Sequence, residues 1–261
     1  MFCTIIGYPL FKPRSVVLWK KFFKKKKLKI SMSALEIRPS NFKYELKKLI
    51  NNEKFLASAI TMPYKKKIFS YVKVNDKISK YSKSINFIIK KNKKIYGFNT
   101  DVYGALDSIK LIKKKNIAIY GFGGAGEAIL RTLCFVYKKY NFLVISSKKK
   151  PHDLKKTKIK FIKKNKFHDL SNIDLFINCS PLGSNLRSKY RFKSPLTERL
   201  LYTAKKKLVI FDIVYKPKIT KLNLISKKYG LKYINGLHMN TIQAELALKK
   251  IENYIIKSKR N

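Results

Sequence analysis

The chain has 261 residues, 45% of them hydrophobic and 13% aromatic, and sets 61 lysines and arginines against 14 acids for a formal net charge of +47. That composition supports one large or two modest packed domains and argues against disorder. No run approaches the roughly 18–20 uncharged apolar residues of a membrane span, residues 1–7 show no basic segment leading into an apolar one, and Cys3, Cys134 and Cys179 lack disulfide or zinc spacing; a cytoplasmic protein with free thiols, no metal and no membrane is expected.

In chain order, short apolar runs alternate with lysine-rich helical patterns. Thr4-Ile5-Ile6, residues 16–23, 33–37, 42–50 and 55–60 read as βαβαβ. Two polar strings follow strand-like runs, Thr61-Met62-Pro63-Tyr64-Lys65 and Gly97-Phe98-Asn99-Thr100-Asp101. Next comes Gly121-Phe122-Gly123-Gly124-Ala125-Gly126, between the apolar run at 117–120 and a helical stretch at 127–135. This is the setting of a dinucleotide-binding turn: Gly121 allows the tight turn, Gly123 lets backbone approach a pyrophosphate, and Gly126 lets helix and strand pack closely. Gly124 and Ala125 complete the turn. Further strands are expected at 141–145, 159–162, 174–178 and 208–211, giving a doubly wound α/β sheet. Ligands bind such sheets at strand carboxyl ends, so Ser146-Ser147, the loop at 179–183 with Ser180, and Asp212-Ile213-Val214-Tyr215 line the cofactor side. The expected division is an N-terminal βαβ substrate domain over 1–100, a C-terminal Rossmann-type dinucleotide domain over 101–236, and a closing segment, 237–261, whose helix packs back on the first domain.

The charge invites a nucleic-acid reading. The lysines, however, are spread over nearly every helix face and loop, and the joint abundance of Lys, Ile, Asn, Phe and Tyr fits a codon-biased genome better than a selected basic groove. Runs at 24–27, 113–115 and 205–207 read as solvated surface, and no specific nucleic-acid partner is expected. Cofactor preference is legible at the end of the second strand of the glycine-turn series. An acid there would bind a ribose 2′-hydroxyl, a cation a 2′-phosphate. The string Ser146-Ser147-Lys148-Lys149-Lys150 contains no acid, which favours NADP. Of the lysines before the turn, Lys65 stands in a run with Lys66 and Lys67. A lysine held by an aspartate can pass a proton beside a nicotinamide.

These strings together resemble the shikimate dehydrogenase family nearly end to end. Residues 59–65 are similar to its N-V-T-x-P-x-K string, which selects Lys65 from its run; Asn99-Thr100-Asp101-Val102-Tyr103-Gly104 matches N-T-D-x-x-G. Asn178, Ser180, Pro181 and Gly183 match N-x-[TS]-P-x-G, Asp212, Tyr215, Pro217, Thr220 and Leu222 match D-x-x-Y-x-P-x-x-T-x-L, and Gly236, Met239 and Gln243 match G-x-x-M-x-x-x-Q. The resemblance implies reversible NADPH-dependent reduction of 3-dehydroshikimate to shikimate, on the route to aromatic amino acids. It implies Lys65 and Asp101 as the acid–base pair. Thr61, Asn86, Asp101 and Gln243 would bind ring hydroxyls, Ser15 and Tyr215 the carboxylate, and Gly236 would join the cofactor contacts. The expected assembly is a monomer or homodimer.

The string also departs from the family. Pro13 replaces one of two carboxylate-binding serines, with Arg14 and Lys12 as possible electrostatic replacements. Ala59 replaces an asparagine and Phe87 a threonine, and Ser147 stands where the family carries an arginine, leaving Lys148 or Lys149 to meet the 2′-phosphate. Competing readings are a quinate-type enzyme using NAD, a methylene-folate dehydrogenase, a degraded homologue that binds cofactor only, and a basic nucleic-acid-binding protein. The Tyr202 and Lys206 spacing also fits the YxxxK of short-chain dehydrogenases, an accident expected in so lysine-rich a chain.

Overall fold

A computed structural model describes residues 1–110, 112, 115–154 and 158–258. The chain divides into two compact units, residues 1–104 with 241–261 and residues 105–240. Lys113 and Lys114 of the predicted lysine run, and the last three residues of the predicted closing segment, lie outside the described residues. Lys24, Lys25, Lys26 and Lys27, and Lys205, Lys206 and Lys207, are exposed as expected.

In the first unit, β1 (Phe2–Gly7), β2 (Ser31–Glu36) and β3 (Phe55–Ile60) are parallel, linked by α1 (Arg14–Lys25) and α2 (Phe42–Asn51). The sheet continues through an antiparallel hairpin, β4 (Phe87–Lys91) and β5 (Lys94–Phe98), in the order β2-β1-β3-β4-β5. The βαβαβ pattern did not foretell this hairpin. Its turn is Asn92-Lys93, both at positive φ, 45° and 64°, the handedness that matches strand twist but without the glycine that usually announces it. Alternate residues feed two cores. Cys3, Ile5, Ala57, Phe87 and Ile89 meet Trp19 and Phe23 of α1. Ile6, Phe55, Ile60 and Ile88 meet Phe42, Leu46 and Leu49 of α2. The helix α8 (Leu237–Ser258) adds Ala247, Leu248, Ile251 and Ile255 to the first of these cores, at the three- and four-residue spacing of one helical face. Phe87, one of the departures from the family string, is 1% exposed with its ring centroid 6.0 Å from that of Trp19.

The second unit is a six-stranded parallel sheet. β6 (Asn116–Tyr120), β7 (Asn141–Ile145), β8 (Ile159–Ile162), β9 (Leu175–Asn178), β10 (Val209–Asp212) and β11 (Lys232–Asn235) lie in the order β11-β10-β9-β6-β7-β8. That order reverses direction at β6, the switch point where a Rossmann sheet opens its binding crevice. The central strands are buried on both faces, which explains their continuous apolar runs. β11, short and half-exposed, was absent from the predicted strands.

From β6 the chain turns through Gly121, at φ +95°, into α5 (Gly124–Val136). The glycines of this turn are needed for different reasons. A Cβ on Gly126 would lie 2.1 Å from the Gly121 carbonyl oxygen, whereas a Cβ on Gly123 or Gly124 would meet nothing within 4 Å. Gly126→Ala is therefore expected to lower unfolding stability by about 3 kcal/mol through backbone overpacking, and Gly123→Ala by about 1 kcal/mol or less. Chemical denaturation of the two variants checks this, and equal losses would contradict the packing assignment.

Candidate active site

At the carboxyl end of β3 the segment from Thr61 to Lys65 is held by an aromatic anchor. Tyr64 is 1% exposed, stacks on Phe42 with centroids 4.3 Å apart, and donates its hydroxyl to the Ile37 carbonyl. Tyr64 N donates to Thr61 O, and Ile85 N donates to Lys65 O at 2.7 Å. With Tyr64 pointing inward, Lys65 is half-buried while Lys66 and Lys67 are exposed. Its Nζ lies 2.6 Å from Asp101 Oδ2, with the side chains 25% and 20% exposed. A pair at this depth stays oriented yet keeps surface for a third polar atom.

Asp101 stands in the first turn of α4 (Thr100–Ile109), where a carboxylate complements the helix dipole. Asn99 Oδ1 accepts from Val102 N and so caps that turn. Behind it lies a polar lattice. Asn99 donates from its backbone N to Ser79 Oγ at 2.7 Å and from Nδ2 to Ser82 Oγ at 3.0 Å, both on α3 (Lys77–Ser82). Asp76 caps α3 through Ser79 N and accepts the Tyr103 hydroxyl at 2.5 Å. Burial pushes the Asp76 carboxyl up, but the Ser79 and Tyr103 hydroxyls and the capped backbone outweigh it and hold it below its ordinary value. Sequence reading missed Asp76, Ser79 and Ser82, since isolated small polar residues leave no periodic trace; the D-x-x-S cap pattern was the available signal.

The other expected substrate groups of this unit are distributed as follows. Asn86, 5% exposed, is fixed between β3 and β5 by its backbone, accepts Thr100 N on Oδ1 at 2.6 Å, and donates Nδ2 to Thr100 Oγ1 at 3.0 Å and to Gln243 Oε1 at 3.3 Å. Thr61 is half-buried with its N–H on Ile6 O. Ser15 and Arg14 are half-buried in the first turn of α1, for which Pro13 is the N-cap, while Lys12 is exposed with its Nζ 5.7 Å from the Phe11 ring. Tyr215 belongs to the second unit, half-buried in the loop after β10.

In the second unit, α5 begins at the exposed N-cap Gly123, which supplies no side-chain cap, and continues through exposed Gly124 and half-buried Ala125. Protein packing does not require glycine at 123 or 124. The open side with its uncapped N–H groups suits a pyrophosphate, so the residues present fit a dinucleotide. Ser180, 8% exposed, donates to Asn178 Oδ1 and packs its backbone on Gly121. Ser146 is buried and accepts Lys148 N, leaving Ser147, Lys148 and Lys149 exposed. Gly236 is pressed on Ile213, whose carbonyl oxygen a Cβ would approach to 2.2 Å, a packing reason for glycine there. Tyr202 of the YxxxK spacing is 83% exposed and Lys206 also exposed.

Asp212 is the buried organiser of this unit. Fully enclosed, it accepts from Asn178 Nδ2 at 2.9 Å, Val214 N at 3.0 Å, the Tyr233 hydroxyl at 2.8 Å and Thr220 Oγ1 at 3.4 Å. It ties β9, β10, β11 and the start of α7 (Lys221–Lys228), which Thr220 caps.

A 3-2-1-4-5-6 Rossmann unit with an open glycine turn, in one chain with an α/β unit carrying a lysine–aspartate pair, defines a two-unit protein of the nicotinamide-dinucleotide-binding class. Residues 5–88 match the model of the shikimate dehydrogenase substrate-binding domain. The NADP-dependent shikimate dehydrogenase of Methanocaldococcus jannaschii is 31% identical over 265 residues, covering 94% of this chain and 89% of that one. Its counterpart from Clostridium botulinum is 27% identical, with 94% and 93% covered. A shikimate dehydrogenase crystallised with NADP+ superposes with a TM-score of 0.82 at 26% identity, covering 98% of this chain and 95% of that one. The chain belongs to the shikimate dehydrogenase family.

Burial raises the Asp212 carboxyl to about 6, against the partial relief of its backbone and side-chain donors. An acid raised on folding makes the native state bind more protons than the unfolded chain between about pH 4 and about pH 6, so its contribution to stability falls as pH rises through that window. The stability of the native chain relative to Asp212→Asn, followed by thermal unfolding, is expected to decline from pH 4 to pH 6.5 and then level off. A flat difference would mean that the carboxyl titrates alike in both states.

Proposed function

We propose that this chain catalyses the reversible NADPH-dependent reduction of 3-dehydroshikimate to shikimate, in the cytoplasm, as a monomer or homodimer. The observation that carries the site assignment is the 2.6 Å contact between Lys65 and Asp101. NADPH, when bound, supplies the hydride. Lys65 gives a proton to the oxygen of the carbonyl carbon that accepts it, and Asp101 orients the ammonium. In the reverse direction the neutral amine takes the hydroxyl proton back. Thr61, Asn86 and Gln243, with Asp101, hydrogen-bond the ring hydroxyls; the Asn86 amide, held by its backbone and by Thr100, would exchange its 3.3 Å contact with Gln243 Oε1 for a ring hydroxyl. Ser15 and Tyr215 hold the carboxylate, with Arg14 supplementing the hydroxyl absent at Pro13.

The cofactor reading follows the open turn. Gly121, Gly123, Gly124, Ala125 and Gly126 hold the pyrophosphate, with Ser180 and Gly236 along the remainder. Ser146, Ser147, Lys148 and Lys149 receive the 2′-phosphate. Exposure of both lysines supports this role, and Lys150 is spent elsewhere, its Nζ on the Ile159 carbonyl at 2.9 Å. Lysine is a point charge without the fork of arginine, so NADP preference is expected to be moderate.

Spectrophotometric turnover with shikimate and NADP, run beside quinate and NAD, tests the reaction; turnover with quinate and NAD alone would replace it. Lys65→Ala and Asp101→Asn are each expected to lower kcat by about 10²–10⁴-fold with NADP affinity preserved, as for loss of a general acid or its partner. Loss of cofactor affinity instead would remove both residues from the catalytic role. Paired Lys148→Ala and Lys149→Ala should raise KM for NADP more than for NAD, and equal effects would refute the 2′-phosphate assignment.

A further inference from the structure

The described part of the loop that follows β7, residues 146–154, is tied down at several points. At its start Lys148 N donates to Ser146 Oγ at 3.1 Å, and in its middle Lys150 Nζ reaches the carbonyl of Ile159 on β8. A turn at His152–Leu154 buries Leu154 in the core beneath α5. The strongest tie is ionic. Arg131 of α5 donates Nη1 to Asp153 Oδ2 at 2.8 Å and Nη2 to Asp153 Oδ1 at 3.1 Å, a bidentate pair, and Nε to Glu127 Oε1 at 3.0 Å. Arg131 is 8% exposed and the Asp153 side chain 41%. The exposed residues of this segment are Ser147, Lys148 and Lys149 at its start and His152 and Asp153 near its end.

Packing alone does not ask for such a group. A guanidinium between two carboxylates pays desolvation that well-packed apolar side chains would avoid, and its return is fixed geometry. It also carries a net negative charge close to a loop that is otherwise strongly basic, which a site built only for attraction would exclude. Fixed geometry matters here because the loop has no arginine of its own. A lysine on a flexible stem senses a 2′-phosphate as a point charge, and its selectivity depends on the backbone that carries it staying still. We propose that the Arg131–Asp153 pair, braced by Glu127, is a positioning device that holds the Lys148-Lys149 turn and thereby sets the preference for a 2′-phosphorylated cofactor. This rests on the cofactor reading above.

The test uses the full chain and direct calorimetric titration with NADP+ and NAD+, with steady-state kinetics alongside. Because Asp153 is well exposed, Asp153→Ala should fold. Its Kd and KM for NADP+ should rise about five- to tenfold, the low end of a coupling between two separate sites, while those for NAD+ and kcat with either cofactor stay within about twofold. Asp153→Glu, which restores a carboxylate, should recover most of the NADP+ affinity. Equal weakening of NADP+ and NAD+ would make the pair a structural tie only and overturn the proposal. Tighter NADP+ binding would overturn it too, since the carboxylate would then act through its repulsion. A native chain that binds NADP+ no better than NAD+ would instead refute the underlying cofactor reading, and this inference with it.

Discussion

A strand inside a sheet spends its backbone on its neighbours, and a sheet covered on both faces spends its side chains on the core. Polar chemistry is then confined to strand ends, where the chain leaves the ladder. Both units obey this constraint. In the first, Thr61 follows β3, Asn86 precedes β4 and Asn99 follows β5, and the pairing of these three strands brings those positions to one edge. In the second, Gly121, Ser146, Ser180 and Asp212 occupy the carboxyl ends of β6, β7, β9 and β10 or the residues just beyond.

The scarce charge in this molecule is negative. With 61 basic residues and 14 acidic ones, a lysine carries no information by its presence; a carboxylate that reaches one does. Asp101 distinguishes Lys65 from Lys66 and Lys67, and Asp153 with Glu127 engages Arg131. The Lys228–Glu198 pair lies in solvent with both partners at least half exposed, where screening leaves it worth little. Among the described residues, Asp212 has no cation among its hydrogen-bond donors. Neutral donors alone satisfy it, and its raised pKa records the burial that they only partly offset.

Much of this was legible beforehand, for reasons that can be named. The central strands of the second unit announce themselves as apolar runs, because both faces are buried, and β6, β7 and β8 lie at the residues expected for them. The hairpin of β4 and β5 escaped notice because its Asn92-Lys93 turn adopts positive φ without glycine. β11 escaped because a half-exposed edge strand leaves a weak pattern. The lattice of Asp76, Ser79 and Ser82 behind Asn99 escaped because, beyond the local Asp76–Ser79 cap, its hydrogen bonds join separate segments and obey no spacing.

The sequence by itself determined the alternation of elements, the glycine turn, the absence of an acid in the string 146–150 and membership of a family whose motifs recur in order. These are local properties, written in periodicity and in residues adjacent along the chain. Tertiary structure decided which glycines serve packing and which leave room for a ligand, which lysine of a run turns inward, and which buried carboxylate organises the loops. Each of those depends on atoms far apart in sequence meeting at hydrogen-bond or van der Waals distance: Gly126 on the Gly121 carbonyl, Lys65 on Asp101, and Asp212 among Asn178, Thr220 and Tyr233.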